Sequence, residues 1–232
     1  MSGPGVPTDA LVALVREAGE EILGWYGAPG EVEEKEDRTP LTAADRVSHA
    51  HLVDGFSRLS PLNTGTLRGV PLEALMGRRS WGRFWLVDPL DGMKEFLKGT
   101  GEFTVNVALI EEGRPVVGIV HVPALGSTHR TSEDWGAEKA GADGRFQSIS
   151  SRGFDARAPV LVGSRDHAGT AVEQLSTLLG STMEFTSMGS SLKFCLVAEG
   201  RADLYLRDRP TMEWDTRPRN VLLSGPEGAC SR

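Results

Sequence analysis

Apolar residues recur every three or four positions near the start of the chain. In "TDALVALVREAGEEILGWYG" (8–27), Leu11, Leu14, Val15, Ala18, Ile22 and Trp25 fall on one stripe. That spacing predicts an amphipathic helix, with Thr8 able to cap its start and Gly27 to end it. A charged, Pro-terminated connection, "EVEEKEDRTP" (31–40), follows. A second helix is expected from Thr42 through Val53 and Phe56, with Thr42 and Asp45 near capping-box spacing. Residues 60–80 carry neither period and are rich in Gly, Pro and Arg.

The pattern then shortens. "RFWLVD" (83–88) reads as a buried strand. "FTVNVALI" (103–110) puts Val105, Val107 and Leu109 on one face, "EEGR" turns, and "PVVGIVHV" (115–122) returns, which predicts a β-hairpin. "SEDWGAEKAGADGRF" (132–146) is polar and Gly-rich, a candidate boundary. Beyond it come a strand ("PVLVGS"), a helix (168–180), a strand ("MEFTSM"), a helix (190–199) and a strand ("ADLYLR"). The reading is an α/β protein: an α+β half over 1–134 and a smaller α/β half over 135–232.

Composition narrows the function. The chain has 232 residues, room for one large domain or two smaller ones sharing a core. A net charge of −7 argues against a polyanion-binding surface, so no nucleic-acid partner is expected. A small phosphorylated ligand stays open, because bound divalent cations can supply positive charge. The two cysteines, Cys195 and Cys230, have no metal-ligand spacing and fit a reducing compartment. Cys195, in "KFCLVAEG", reads as a buried small hydrophobe. The first residues show no basic and apolar leader, and no run reaches the roughly 18 apolar residues of a membrane span. A cytoplasmic protein with no membrane partner is expected; oligomeric state is not legible.

The chemistry concentrates in "WLVDPLDGMKEF" (85–96). Asp88 closes a strand, Pro89 removes a backbone donor and ends the ladder, and Asp91 returns a second carboxylate. The Leu90 carbonyl lies between them. Hard cations such as Mg²⁺ take such oxygen ligands. Gly92 permits close approach of the backbone to a ligand, and a helix over 93–98 would aim its first amides at an anion. An ordinary acidic turn has the same spacing. In "MEWDT" (212–216), Asp215 offers a third carboxylate, the arrangement for two-metal phosphoryl hydrolysis. His49 and His51 point different ways on their helix and are not read as ligands.

"WLVDPLDGMKEFLKGTGEFTVNVALI", "MGSSLKFCLVAEGRADLYLR", "EWDT" and "EKEDRTPLTAAD" together resemble the bacterial 3'(2'),5'-bisphosphate nucleotidases of the inositol monophosphatase superfamily. The resemblance implies a layered α/β/α/β/α sandwich and Mg²⁺-dependent, Li⁺-sensitive release of phosphate from 3'-phosphoadenosine 5'-phosphate, a by-product of sulfate assimilation. It implies metal ligation by Asp88, the Leu90 carbonyl, Asp91 and Asp215. It also implies a phosphate cradle at the amides of Gly92 and Met93, and an orienting role for Asp45 on the water-activating hydroxyl. Ser190, Lys193, Arg207 and His167 are the implied nucleotide contacts.

Three departures follow. The family has Thr or Ser directly after Asp-Gly, where this chain has Met93, and a thioether neither donates nor relays a proton. The family's upstream Glu-Glu pair meets "LNTGTLRGV" (62–70), which has no acid; Glu73 is the nearest carboxylate. After Asp215-Thr216 the family's Ala-Ala-Gly and apolar helix are replaced by "RPRNVLLSGPEGACSR", so the C-terminal part is expected to be incomplete. Reading-frame shifts in the two windows 62–80 and 217–232, or sequence errors there, would account for the last two departures together. The expectation is a phosphatase of impaired activity; the alternatives are a non-catalytic phosphonucleotide-binding remnant or an inositol monophosphatase-type sugar phosphatase.

Overall fold

The computed structural model describes residues 8–28, 33–34, 40–59, 63–66, 81–132, 136–164, 174–175, 177–178 and 183–206. Helix α1 (Thr8–Leu23) forms along the expected stripe, with Leu11, Val15, Ala18 and Ile22 fully buried. Trp25, in the turn after it, packs on the same core. Strands β1 (Glu33–Glu34) and β2 (Pro40–Leu41) pair antiparallel. Helix α2 (Ala43–Leu59) buries Ala44, Leu52 and Phe56.

A seven-stranded sheet receives both helices. Its strands are β3 (Asn63–Thr66), β4 (Arg83–Asp91), β5 (Thr104–Glu111), β6 (Arg114–Val122), β7 (Ser127–Ser132), β8 (Gly136–Ala140) and β9 (Phe146–Ile149), in that spatial order. Helix α3 (Met93–Lys98) joins β4 to β5. β3 runs parallel to β4; the remaining pairs are antiparallel. The β5–β6 hairpin is the one the alternation predicts, turning at Glu112 and Gly113, both at positive φ. On one face Trp85, Val87, Val105, Val107 and Leu109 join α1 and α2 in the main core. Phe56 stacks on Trp85 there, ring centroids 4.9 Å apart.

The second half holds β10 (Val160–Ser164), β11 (Glu184–Met188), helix α4 (Leu192–Ala198) and β12 (Leu204–Tyr205). The strands form a parallel sheet in the order β11-β10-β12. Asp203 pins its edge: its carboxylate takes a bidentate bond from Arg152 (2.6 and 2.7 Å) and accepts the Val160 amide at 2.6 Å.

Three expectations need correction. The first sheet does not stop at 134: β8 and β9 extend it to Ile149, so β8, from the polar, Gly-rich segment, lies within it and β9 forms its edge. Edge strands carry polar side chains, so their composition resembles a linker. Pro89 does not end the ladder. The register shifts between Asp88 and Asp91, and pairing resumes at Asp91↔Thr104. A bulge tolerates the missing amide of proline. Within the unassigned stretch 60–80, Asn63–Thr66 forms β3.

The opposite face of the large sheet positions α4. Register aligns Asp88, Asn106, Val120, His129, Lys139 and Gln147 in one row across six strands. Ser191, Cys195 and Glu199 recur every four residues through α4 and its two caps, one stripe of the helix. The Ser191 hydroxyl meets Asn106, Cys195 packs on Val120, and Glu199 binds His129 Nε2 at 2.7 Å and Lys139 Nζ at 2.9 Å. Among the described residues no helix is long and apolar enough to cross a membrane.

The buried ion pair sets a pH dependence. Burial opposes charge on His129, but the neighbouring Cys195 sulfur and the Glu199 carboxylate outweigh it and raise its pKa to about 9. Burial pushes Glu199 up, but His129 and Lys139 bring it down to about 2. For His121, burial and then the Arg16 guanidinium hold the pKa down at about 4. A histidine raised in the fold stabilises fully below its unfolded pKa, and that contribution is lost as pH rises towards 9. His121 acts oppositely: its contribution is full above 6.5 and is lost as pH falls towards 4. The melting temperature therefore peaks near pH 6.5. His129→Gln lowers that peak and removes about 1–3 kcal/mol of the alkaline fall. Circular-dichroism melts of both proteins from pH 4 to 10 check this; parallel alkaline limbs would refute it.

Candidate functional site

The site begins at the bulge in β4. Asp88 is 1% exposed and stands cross-strand from Asn106. Pro89 and Leu90 fill the bulge, with Leu90 fully buried. The Ser48 hydroxyl of α2 donates to the Pro89 carbonyl at 2.9 Å, tying the turn to the helix layer. Asp91, half-buried, follows as the second carboxylate. Its Oδ2 accepts the Ser191 hydroxyl at 2.5 Å and the Asn106 amide at 3.3 Å.

Gly92 makes the chain's turn into α3. It holds φ 90° and ψ 39°, the left-handed region that favours glycine. A Cβ there would stand 2.8 Å from the Glu102 carbonyl oxygen and 2.9 Å from Ser190 Cβ. The loop before α4 thus closes directly over Gly92. Ser190 accepts a positive φ of 44° to do so, and the Gly189 amide donates to Glu102 Oε2 at 2.8 Å. Beneath α3, Tyr26, Phe96 and Phe103 pack ring on ring, with centroids 5.1 to 5.7 Å apart.

Met93 opens α3 and is buried in the main core. Its sulfur accepts the Thr42 hydroxyl at 3.7 Å. Thr42 directly precedes α2 and its carbonyl accepts the Arg46 amide at 3.4 Å, while its hydroxyl turns to α3. Asp45 lies buried in the first turn of α2, three residues on.

The structure thus brings Asp88, Leu90, Asp91, Gly92, Met93 and Ser190 to one turn. Lys193 is 4% exposed; its ammonium donates to the Met188 carbonyl at 3.1 Å and lies over the Tyr205 ring. His167, Arg207 and Asp215 fall outside the described residues. Sequence reasoning missed Ser48, Asn106 and Ser191. Asn106 carried a signal, as the one amide in an apolar strand, and Ser191 adjoins the flagged Ser190.

Two carboxylates and a carbonyl form an all-oxygen donor set with no sulfur or imidazole. That chemistry fits Mg²⁺, which takes one or two protein carboxylates and keeps several waters. Among the described residues no three His, Cys, Asp or Glu side chains form a metal-holding group.

Gly92→Ala forces a side chain into the left-handed region and against backbone. The expected cost is about 1–3 kcal/mol, read from urea unfolding midpoints. A midpoint equal to that of the parent would show that the loop yields.

Known proteins resemble this chain over most of its length. The model of the inositol monophosphatase family matches residues 7–226. The chain is 42% identical over 220 residues to the 3'(2'),5'-bisphosphate nucleotidase CysQ of Escherichia coli, covering 93% of this chain and 86% of that protein. It is 45% identical over 218 residues to CysQ of Salmonella typhimurium, covering 92% and 85%. The crystal structure of CysQ from Bacteroides thetaiotaomicron superimposes with a TM-score of 0.79 at 34% identity, covering 94% of this chain and 86% of that one. A chain with this sheet, this acidic bulge and a family match over nearly its whole length belongs to the inositol monophosphatase family.

Proposed function

We propose that this chain is a phosphoric monoester hydrolase that acts on 3'-phosphoadenosine 5'-phosphate with Mg²⁺, and that its turnover is impaired. The observation that supports the reading is the bulge itself, whose register shift falls between Asp88 and Asp91, with Leu90 between them in sequence. The identity to proteins named as bisphosphate nucleotidases supports the substrate. Asp88, the Leu90 carbonyl, Asp91 and Asp215 hold the cation in this reading. The cation, when bound, supplies Lewis-acid stabilisation of charge developing on phosphoryl oxygens.

The chain's own residues do the rest. The amides of Gly92 and Met93 receive the phosphate. Ser190, Lys193, Arg207 and His167 are the proposed nucleotide contacts, with Lys193 acting through the loop it braces at Met188.

Impairment follows from two features. Met93 has no proton to donate or relay, and its sulfur only accepts a hydrogen bond from the Thr42 hydroxyl. The water-activating step therefore lacks a hydroxyl at the turn. The second feature is at β3. Its last residue, Thr66, pairs with Val87, one residue before Asp88. The residues that follow Thr66 in sequence are Leu67, Arg68 and Gly69, none of them acidic, where the resemblance implies the family's glutamates.

Mg²⁺-dependent phosphate release from 3'-phosphoadenosine 5'-phosphate, with Li⁺ as the control, tests the reading. Met93→Thr is expected to raise kcat about 10–100-fold, with KM changed far less and the rate still short of that of the relatives. Asp91→Asn is expected to abolish the gain. A Met93→Thr rate equal to that of the parent would remove Met93 as the cause. Nucleotide-induced thermal stabilisation without any release in either protein would favour a binding remnant.

A further inference from the structure

Serine at a helix N-cap ordinarily turns its hydroxyl back onto the helix's first free amides, worth about 1 kcal/mol. Ser191 caps α4 and makes no such bond. Its hydroxyl donates instead to Asp91 Oδ2, a hundred residues away in sequence. The same oxygen atom of Ser191 accepts Asn106 Nδ2 at 2.7 Å. Asn106 also donates to Asp91 Oδ2 at 3.3 Å. Both residues are fully buried.

Neither residue serves local structure well. Asn106 interrupts an apolar strand, and its Oδ1 is buried without a hydrogen-bond partner. A buried amide left half-satisfied costs stability that an apolar residue of similar size would not. Ser191 gives up its cap. Local rules broken together at one point mark a function elsewhere. What the two residues share is one oxygen of Asp91, approached from β5 on one side and from α4 on the other.

We propose that Ser191 and Asn106 are positioning residues that fix the Asp91 carboxylate for cation binding. This rests on the reading of Asp91 as a cation ligand given above. Two donors on Oδ2 stop rotation of the carboxylate and set how it faces the bulge. Such partners commonly govern metal affinity as strongly as 10–100-fold. The arrangement also makes the site conditional on docking of the second half, because Ser191 reaches Asp91 only when α4 lies along the Asn106–His129 row.

The test is the apparent Mg²⁺ dissociation constant of the full chain, from melting temperature against Mg²⁺, with Mn²⁺ binding by electron paramagnetic resonance as a second probe. Ser191→Ala is expected to weaken binding by about tenfold or more, while Ser191→Thr, which keeps the hydroxyl, stays within about threefold of the parent. Asn106→Ala weakens it similarly, and the double variant loses less than the product of the two. If Asn106→Ala does not fold, the contrast between Ser191→Ala and Ser191→Thr decides alone. Variants that melt earlier without metal yet bind Mg²⁺ as the parent does would make the two residues mere cement between the halves. Asp91→Asn separates the two levels. If it binds Mg²⁺ normally, or if the parent binds none, the ligand reading and the positioning role fall together. If it loses binding while Ser191→Ala does not, only the positioning role falls.

Discussion

Two carboxylates must be held at the end of a central strand, and this constraint organises the molecule. A buried carboxylate is costly unless hydrogen-bonded or paired. At this turn hydrogen bonds arrive from three elements. Ser48 fixes the Pro89 carbonyl from the helix layer, Asn106 reaches Asp91 from the neighbouring strand, and Ser191 closes from the second half. Gly92 then turns the chain in a conformation few other residues tolerate, with the Ser190 loop against it.

The same constraint explains how the halves are joined. Helix α4 lies along one cross-strand row, with Ser191 at the acidic bulge and Glu199 about 12 Å further on by helix rise. Glu199 there meets His129 and Lys139. One end of the stripe touches chemistry and the other is a buried ion pair. Such a pair contributes little net stability but fixes register, since misdocking would leave a charge buried alone. The placement of Ser191 against Asp91 is thus set partly by charges further along the same row.

Met93 fits this framework as a packed residue. It belongs to the main core and engages Thr42. A thioether there fills the core beneath the turn and carries no proton to donate.

Much of this was legible in the chain. The stripe from Leu11 to Ile22, the alternation of Val105, Val107 and Leu109, and the Asp-Gly turn into 93–98 each repeat a local geometry that leaves a local signature. The donor oxygens of Asp88, Leu90 and Asp91 lie within four residues, so the acidic turn could be read directly. Other features were misread for physical reasons. The segment holding β8 reads as a linker because its residues are polar and Gly-rich, and nothing in the local pattern marks Lys193 as a buried ammonium. The sequence by itself determined the elements and the residues of the turn. Only the tertiary structure decided that Ser191 and Asn106 share Asp91, that His129 meets Glu199 and that Thr42 meets Met93. Those partners stand 51 to 100 residues apart in all but the Asn106–Asp91 pair, and strand register and helix docking, not sequence spacing, bring them together.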